Sequence, residues 1–365
     1  MRASVLSVAA VVALTYGHAF GSDSALIGQI NAADLIVLGE TTDAGTIAAG
    51  QLSFGVNIAG TLKGSSPGAS VTVHFTPASG PQSFAAGAAG RCGIFFLAQG
   101  TGGWSVIPRT QPPFILDDLY YPEGTGGSVA PPTSSVPTVD DILSAVINAV
   151  QSGTPSDRLV ADLFRSVNAT DSPVVAAAAS QMSSAAQPAL QVLSLGWRLS
   201  LGQDQALPQV LPWIATLKQS PLGGILVGAI SGYGGTSASA MGGLGQIALQ
   251  GGGTGFDFAA SLALRSAHTT DALPYLMELL SSSDVRVRLN AVAGLSMALA
   301  GVPPLSSGSS PQAVFERAMN PAFRKPLNAE DQAHLVFASL GDAANEASLI
   351  AWWRSRAQQM IATGQ

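Results

Sequence analysis

The residues best suited to chemistry are few in this chain and lie far apart. His74, His268 and His334 follow the N-terminal segment, and none of them has a second histidine or a cysteine three or four residues away. A local zinc site needs ligands at such a spacing, and Cys92 is the one cysteine of the chain. The spacing therefore predicts no metal site, and each histidine is expected to be a surface or hydrogen-bonded residue.

Paired carboxylates are a second chemical signal, because two converging acids can bind a metal ion or perform acid–base catalysis. Asp140 and Asp141 follow Pro137 and Thr138. Carboxylates are stabilised at the positive N-terminal end of a helix. We therefore expect this pair to cap a helix.

A second acidic pair, at residues 117–118, lies beside two tyrosines. A hydrolase with an interdomain carboxylate site would use this pair, whereas packing between domains is the alternative that we favour. The candidate residues for contact with a partner are Asp117, Asp118, Tyr120, Tyr121, Arg286 and Tyr233.

Familiar catalytic and nucleotide-binding motifs are missing from the sequence. Gly243, Gly245 and Ala248 form a loose Gly-x-Gly-x-x-Ala string, but no strand signal precedes it, as a dinucleotide site requires. The string Gly64-Ser-Ser66-Pro-Gly68 lies in a turn between two predicted strands and not at the strand-to-helix turn of a nucleophile elbow, and no phosphate-binding loop occurs. The sequence therefore predicts that the protein is not an enzyme and that it binds no cofactor.

The composition excludes several classes of protein. Charged residues make up 10% of the 365 residues, and the net charge is −6, whereas an ordinary soluble domain has about 25% charged residues. With three lysines, the chain lacks the basic surface of a nucleic-acid-binding protein. The hydrophobic share of 47% is too high for an intrinsically disordered chain, and the length is typical of about two domains.

The first residues have the pattern of a secretory signal peptide. Arg2 precedes an apolar run at residues 5–14, and Gly17 and Ala19 are the small residues of a predicted cleavage site, with Ala19 and Gly21 as a second option. We expect residues 1–19 to be removed and the protein to be exported, either to the periplasm or out of the cell. The densest later apolar run, at residues 222–230, is shorter than the roughly 20 residues of a membrane span. No membrane insertion of the mature chain is expected.

The part of the chain between residues 25 and 121 has the signals of a small β domain. Two of its segments alternate apolar and polar side chains, and the others are apolar runs bounded by turn residues. The predicted strands are residues 34–40, 52–62, 70–76, 91–98 and 104–108. Five short strands favour a small antiparallel barrel, with a sandwich as the alternative.

A linker rich in Pro, Gly, Ser and Thr is predicted at residues 122–137. Beyond it, apolar residues recur at helical spacing, and the segment 271–299 predicts two helices separated by serines. This pair has weaker copies upstream: the tripeptide Ala-Leu-Pro occurs at 206–208 and again at 272–274. Such internal similarity predicts an array of repeated helix pairs.

The string Asp-Val-Arg-Val-Arg-Leu-Asn-Ala-Val-Ala-Gly-Leu at residues 284–295 resembles the second helix of a HEAT repeat. The shared pattern is an acid followed by Val-Arg, then Ala, then a small residue and Leu. The resemblance covers about residues 138–361 and implies an α-solenoid. HEAT-like solenoids bind other macromolecules on a concave surface, so it also implies a protein or peptide partner.

A weaker similarity links residues 25–121 to netrin-like and TIMP-like OB barrels. The shared features are Ala33-Asp34 before a strand, Lys63-Gly64 after one, a Val-x-Val strand at 71–73, and Cys92-Gly93 before an apolar strand. The paired cysteines of those families are absent. The resemblance therefore implies a barrel and not protease inhibition.

The sequence thus predicts a multidomain β plus all-α protein, with a small antiparallel OB-like β-barrel or sandwich followed by a HEAT-like α-solenoid at residues 138–361. A segment with ten glycines at residues 232–255 is either a mobile binding loop or an insertion between repeats. We expect an exported, non-enzymatic protein that binds a protein or peptide partner and no nucleic acid. An envelope structural protein without a defined ligand is the main alternative.

Overall fold

The computed structural model divides the chain into two compact units, Ser22–Trp197 and Arg198–Gln365. It describes residues 25–43, 45–48, 51–75, 92–107, 137–152, 155, 157–302, 320, 322, 325–334 and 343–364. The predicted signal peptide, all but the last residue of the predicted linker, and the four candidates Asp117, Asp118, Tyr120 and Tyr121 lie outside the described residues. Helices up to Trp197 group with the β domain, whereas the sequence pattern assigned them to the later helices.

The two units differ in their secondary structure. The strands are β1 (Leu35–Thr41), β2 (Thr46–Ala48), β3 (Gln51–Lys63), β4 (Ser70–Phe75), β5 (Cys92–Gly100) and β6 (Gly103–Val106). The α-helices of the first unit are α1 (Ala25–Ala32), α2 (Val139–Ser152), α3 (Asp157–Ser166), α4 (Pro173–Gln181) and α5 (Pro188–Ser200), which runs into the second unit. The second unit continues with a 3-10 segment (Asp204–Trp213), α6 (Pro221–Ser231), α7 (Ala238–Gln250), α8 (Phe256–Ala267), α9 (Leu273–Leu279), α10 (Val285–Ala300), α11 (Ala329–His334) and α12 (Ala343–Thr363).

Five strands close into a barrel in the first unit. β1 pairs with both β3 and β5, β5 pairs with β6, β6 pairs with β4, and β4 pairs with β3. The short β2 adds to the start of β3. Alternate residues of β3 point inward, so that Leu52, Phe54 and Val56 join the barrel core.

Closure of the barrel depends on a glycine at a β-bulge between β1 and β3. The register shifts between Leu38 and Gly39, and a β-carbon on Gly39 would lie 2.4 Å from Val56 Cγ1 and 2.7 Å from the Asn57 carbonyl oxygen. Both distances are far inside van der Waals contact. The absence of a side chain therefore allows the first strand to approach the third.

The prediction of a small β-barrel is confirmed, and each of the five predicted strands lies within a few residues of an observed one. Two details differ from the sequence pattern. The strand β2 was not predicted, and the pairing of β4 with β6 is parallel. The parallel pair arises because β5 crosses to lie beside β1 before the chain returns through a tight turn to β6.

Helix caps of the first unit follow the predicted chemistry. The hydroxyl and backbone N–H of Thr138 both donate to Asp141 Oδ2 at 2.8 Å, and the Asp141 N–H donates back to Thr138 Oγ1 at 3.2 Å. This reciprocal arrangement is a capping box at the start of α2. Asp140 accepts a hydrogen bond of 2.7 Å from Ser172, the N-cap of α4. The predicted capping role is confirmed for Asp141, whereas Asp140 binds the N-cap of a neighbouring helix.

Helices of the second unit pack in two series. In the first series, α7 contacts the 3-10 segment Asp204–Trp213 and α9, and α9 contacts α12. In the second series, α8 contacts both α6 and α10. The series are joined where α7 packs on α8 and α9 packs on α10. None of the described helices has the length and apolarity needed to cross a membrane.

The Gly-rich segment at residues 232–255 corrects the sequence analysis, because its centre is the helix α7 and not a loop. A β-carbon on Gly245 would lie 2.1 Å from Tyr275 Cδ1, and one on Gly243 would lie 2.7 Å from Leu207 Cβ. The glycines therefore serve close packing: Tyr275 of α9 and Leu207 of the 3-10 segment rest against the α7 backbone. Low helix propensity of glycine concealed this helix in the sequence.

Candidate interaction surface

The helix α8 is enclosed on every side except along one stripe. Phe258, Leu262 and Ser266 are half-buried, whereas the other nine residues of α8 are buried. Their spacing of four residues places the three side chains on one face of the helix, and we call this face the outer stripe. The stripe carries no charged residue, and the neighbouring α6 presents the half-buried Val227 and Ser231.

One exposed cation lies over this stripe. The guanidinium of Arg286, from the first turn of α10, lies 5.2 Å from the centroid of the Phe258 ring. Arg286 also donates to both carboxylate oxygens of Asp284, the N-cap of α10. These hydrogen bonds raise the pKa of Arg286, and the negative charges of Asp284 and Asp257 add to the effect.

Arg286 is the sequence-predicted candidate that the structure places on an exposed surface. Its side chain is 47% exposed, and its position is held by Asp284 on one side and the Phe258 ring on the other. The hydrogen bonds from Arg286 also lower the pKa of Asp284. A cation fixed above an aromatic ring offers a partner both charge and apolar area.

The other described candidate, Tyr233, lies in the interior. Its residue is 3% exposed, and its hydroxyl donates to Asp204, which also accepts from the hydroxyl of Ser237, the N-cap of α7. Burial and the hydrogen bond to Asp204 raise the pKa of the phenol. Tyr233 is therefore a structural residue that ties the 3-10 segment to the start of α7, and it is not available to a partner on the surface.

A buried polar cluster lies between α8 and α10. Arg265 Nη1 donates to Asn290 Oδ1 at 3.1 Å, and Asn290 Nδ2 donates to Ser261 Oγ at 2.9 Å. All three residues are buried, and burial lowers the pKa of Arg265 to about 10. The sequence analysis missed this cluster. The available signal was a lone arginine in the apolar run of residues 258–267.

The histidines occupy structural positions. His74 Nδ1 and Ser53 Oγ are 2.8 Å apart on neighbouring strands of the barrel, a pair that the sequence analysis also missed. In the described part of the chain Ser53 is the hydrogen-bond partner of this ring, whereas serine hydrolases orient the histidine with a further acid. His268 Nδ1 lies 3.0 Å from the Val302 carbonyl oxygen, and His334 stacks on Trp352 at 3.9 Å. Among the described residues, no group of three metal-ligating side chains converges.

Comparisons of the chain with protein-family models, with curated proteins and with solved structures find no match.

Proposed function

We propose that Arg198–Gln365 is a HEAT-like α-solenoid that binds a protein or peptide partner, and that the protein is exported and non-enzymatic. The repeated packing supports the solenoid. The 3-10 segment, α7 and α9 begin at Asp204, Ala238 and Leu273, a spacing of about 34 residues that is typical of two-helix repeats. Each is followed by a second helix that packs on the preceding second helix in turn.

The HEAT-like string adds support of its own. Asp284, the acid that opens it, is the N-cap of α10, and its second arginine, Arg288, contacts Glu346 of α12 at 2.5 Å. Val287 and Ala291 face the interior. The residues that carry the resemblance thus cap a helix, join two helices and fill the space between them, as repeat positions do.

The observation that carries the binding function is the outer stripe. Phe258 and Leu262 are large apolar side chains that remain half-buried on a helix whose other faces are covered. An uncharged strip with one fixed cation, Arg286, suits a peptide with apolar side chains and a carboxylate. The second helices of a solenoid form a continuous surface, and α6 extends the strip in one direction.

The experiment is a selection of displayed peptides on the immobilised full chain, followed by fluorescence polarisation with the selected peptides. Leu262→Asp places a charge in the stripe and is expected to weaken binding at least about tenfold, the effect of losing a central apolar anchor. Leu249→Asp is the matched control, because Leu249 is 45% exposed on α7 outside the stripe. Unchanged binding by Leu262→Asp, or equal loss in both variants, contradicts the proposed surface.

For the barrel we propose the OB type. Strands β1, β3 and β4 follow one another as neighbours, and β5 then returns to lie beside β1. This connection is a Greek key, and a five-stranded Greek-key barrel is the OB architecture. For export, N-terminal sequencing of the protein recovered from the periplasm or medium is the test, with Phe20 expected as the first residue. A first residue of Met1 contradicts cleavage.

A further inference from the structure

Arg265 is a buried guanidinium with too few partners. The residue is 4% exposed, and Nη1 donates to Asn290 Oδ1. In the part of the chain that the structure describes, the Nε–H of Arg265 is buried and has no acceptor. An arginine carries five N–H donors, and a buried donor without an acceptor destabilises the fold by about 1–3 kcal/mol, more when it is charged.

Hydrogen bonds and close helix packing hold the residues around this guanidinium in place. Asn290 Nδ2 donates to Ser261 Oγ, and Ser261 Oγ donates to the Phe258 carbonyl oxygen at 2.8 Å. This chain of bonds fixes the orientation of the Asn290 amide, so that its oxygen faces Arg265. A β-carbon on Gly294 would lie 3.1 Å from Arg265 Cα, and glycine at this position therefore allows α10 to approach α8 closely.

No described carboxylate balances the charge. Asp257 lies two turns earlier on α8, and its oxygens accept hydrogen bonds from the backbone N–H groups of Gly253, Gly255 and Phe258. Burial lowers the pKa of Arg265 to about 10. This value is still well above neutral pH, so the guanidinium is charged there. A single buried charge without a counter-ion destabilises the fold, and a bound anion would offset that destabilisation.

We propose that Arg265, held by Asn290, is the binding site for one carboxylate group, which is either a small free carboxylate ion or a carboxylate of a bound peptide. A planar carboxylate matches the guanidinium fork, since it accepts two parallel N–H bonds. With Nη1 engaged by Asn290, the buried Nε–H is the donor that still lacks an acceptor. A single negative charge neutralises Arg265, whereas a phosphate carries a larger charge. The peptide source rests on the proposed function, and the free-ion source does not.

The first experiment is thermal unfolding of the full chain in sodium formate and in sodium chloride at equal ionic strength. Formate is the probe because it is the smallest carboxylate and the site is tightly enclosed. At ten times its dissociation constant, formate shifts the unfolding equilibrium about elevenfold toward the folded state. We expect a higher midpoint in formate than in chloride. In Arg265→Met the difference should vanish, and in the control Arg354→Met, which removes an exposed arginine of α12 outside the outer stripe, it should remain.

A measurement on the unaltered protein covers the case in which Arg265→Met does not fold. In a spectrum of the full chain labelled with ¹⁵N-arginine, the Nε–H resonance of Arg265 is the one absent from Arg265→Lys. Formate should shift that resonance with saturation, and chloride should not. A resonance that responds equally to both salts, or to neither, overturns the carboxylate site.

The peptide source has its own experiment. Peptides selected on the wild-type chain are prepared with free and with amidated carboxylates and titrated into wild type and Arg265→Lys, in which the charge remains but the fork is lost. Loss of binding on amidation in the wild type, together with weaker binding by Arg265→Lys, assigns the site to the peptide. Equal binding by both proteins leaves the proposed function intact and contradicts the peptide source. A formate effect without any peptide binding supports the site and contradicts the proposed function.

Discussion

Replacing Gly245 by alanine tests the close contact between α7 and α9. The new β-carbon would lie 2.1 Å from Cδ1 and 2.4 Å from Cγ of the Tyr275 ring. Cγ lies on the axis of the Cβ–Cγ bond, so flipping the ring about that bond cannot relieve the overlap, and the whole ring or the helix must move. Gly242 is a matched control on the same helix, because its β-carbon would lie 3.6 Å from the Tyr275 hydroxyl, an ordinary contact distance.

The two substitutions should have opposite effects on the free energy of unfolding. Alanine is favoured over glycine within a helix by about 1 kcal/mol, so Gly242→Ala should stabilise the protein by about 0.5–1 kcal/mol. Forcing a ring out of a packed position costs about 2–4 kcal/mol. Gly245→Ala should therefore destabilise the protein by about 1–3 kcal/mol after its gain in helix propensity.

The assay is urea unfolding of the full chain followed by far-ultraviolet circular dichroism, with Tyr275→Ala as a second background. Once the ring is removed, Gly245→Ala should become stabilising by about 0.5–1 kcal/mol, which gives a coupling energy of about 2–4 kcal/mol in the double-mutant cycle. Stabilisation by Gly245→Ala in the wild-type background would refute the close packing of α7 on α9. Destabilisation by Gly242→Ala would show that this segment is not helical.

Two further predictions concern ionisable groups. Tyr233→Phe should lower the free energy of unfolding by about 1–2 kcal/mol at neutral pH because Asp204 loses a donor. The pKa of the phenol is raised in the folded protein, so the stability that the phenol contributes falls as pH rises above 10. The difference between the two proteins should therefore shrink above pH 10. Urea midpoints of both proteins between pH 8 and 11 test this, and a constant difference would contradict it. The hydrogen bonds from Thr138 lower the pKa of Asp141 below its ordinary value of 3.8, so the stability that Asp141 contributes is present above that pH and is lost as pH falls through the lowered pKa. A titration of the Asp141 carboxyl by nuclear magnetic resonance, compared with Thr138→Ala, should show the pKa rise in the variant.

The parts of the fold that follow from local patterns were predictable. Alternation of Phe54, Val56 and their neighbours identifies β3 because a strand in a small barrel has one wet and one buried face. Asp141 was predictable as a capping residue because a carboxylate at a helix start satisfies orphan N–H groups wherever the helix lies. Such signals depend on a few adjacent residues and not on the tertiary structure.

Other features depend on distant residues, and the sequence pattern is silent about them. The glycines of α7 resemble a loop by composition, and their role appears only when Tyr275 and Leu207, far away in the chain, are placed against them. Tyr233 was a candidate for contact with a partner, but its hydroxyl binds Asp204 in the interior. The barrel-closing contact of Gly39 with Val56 likewise depends on strand pairing.

The low charge of the chain and the proposed carboxylate site have a common physical basis. In α10, 11 of 16 residues are buried, and nine of the twelve residues of α8 are buried. A helix covered on nearly every side has no face for charged residues, so an array of such helices is poor in Asp, Glu, Lys and Arg. Arg265 breaks this rule at a position that is 4% exposed. The Nε–H of Arg265 has no described acceptor, so this charge destabilises the fold. A ligand of opposite charge explains its presence more simply than a contribution to stability does.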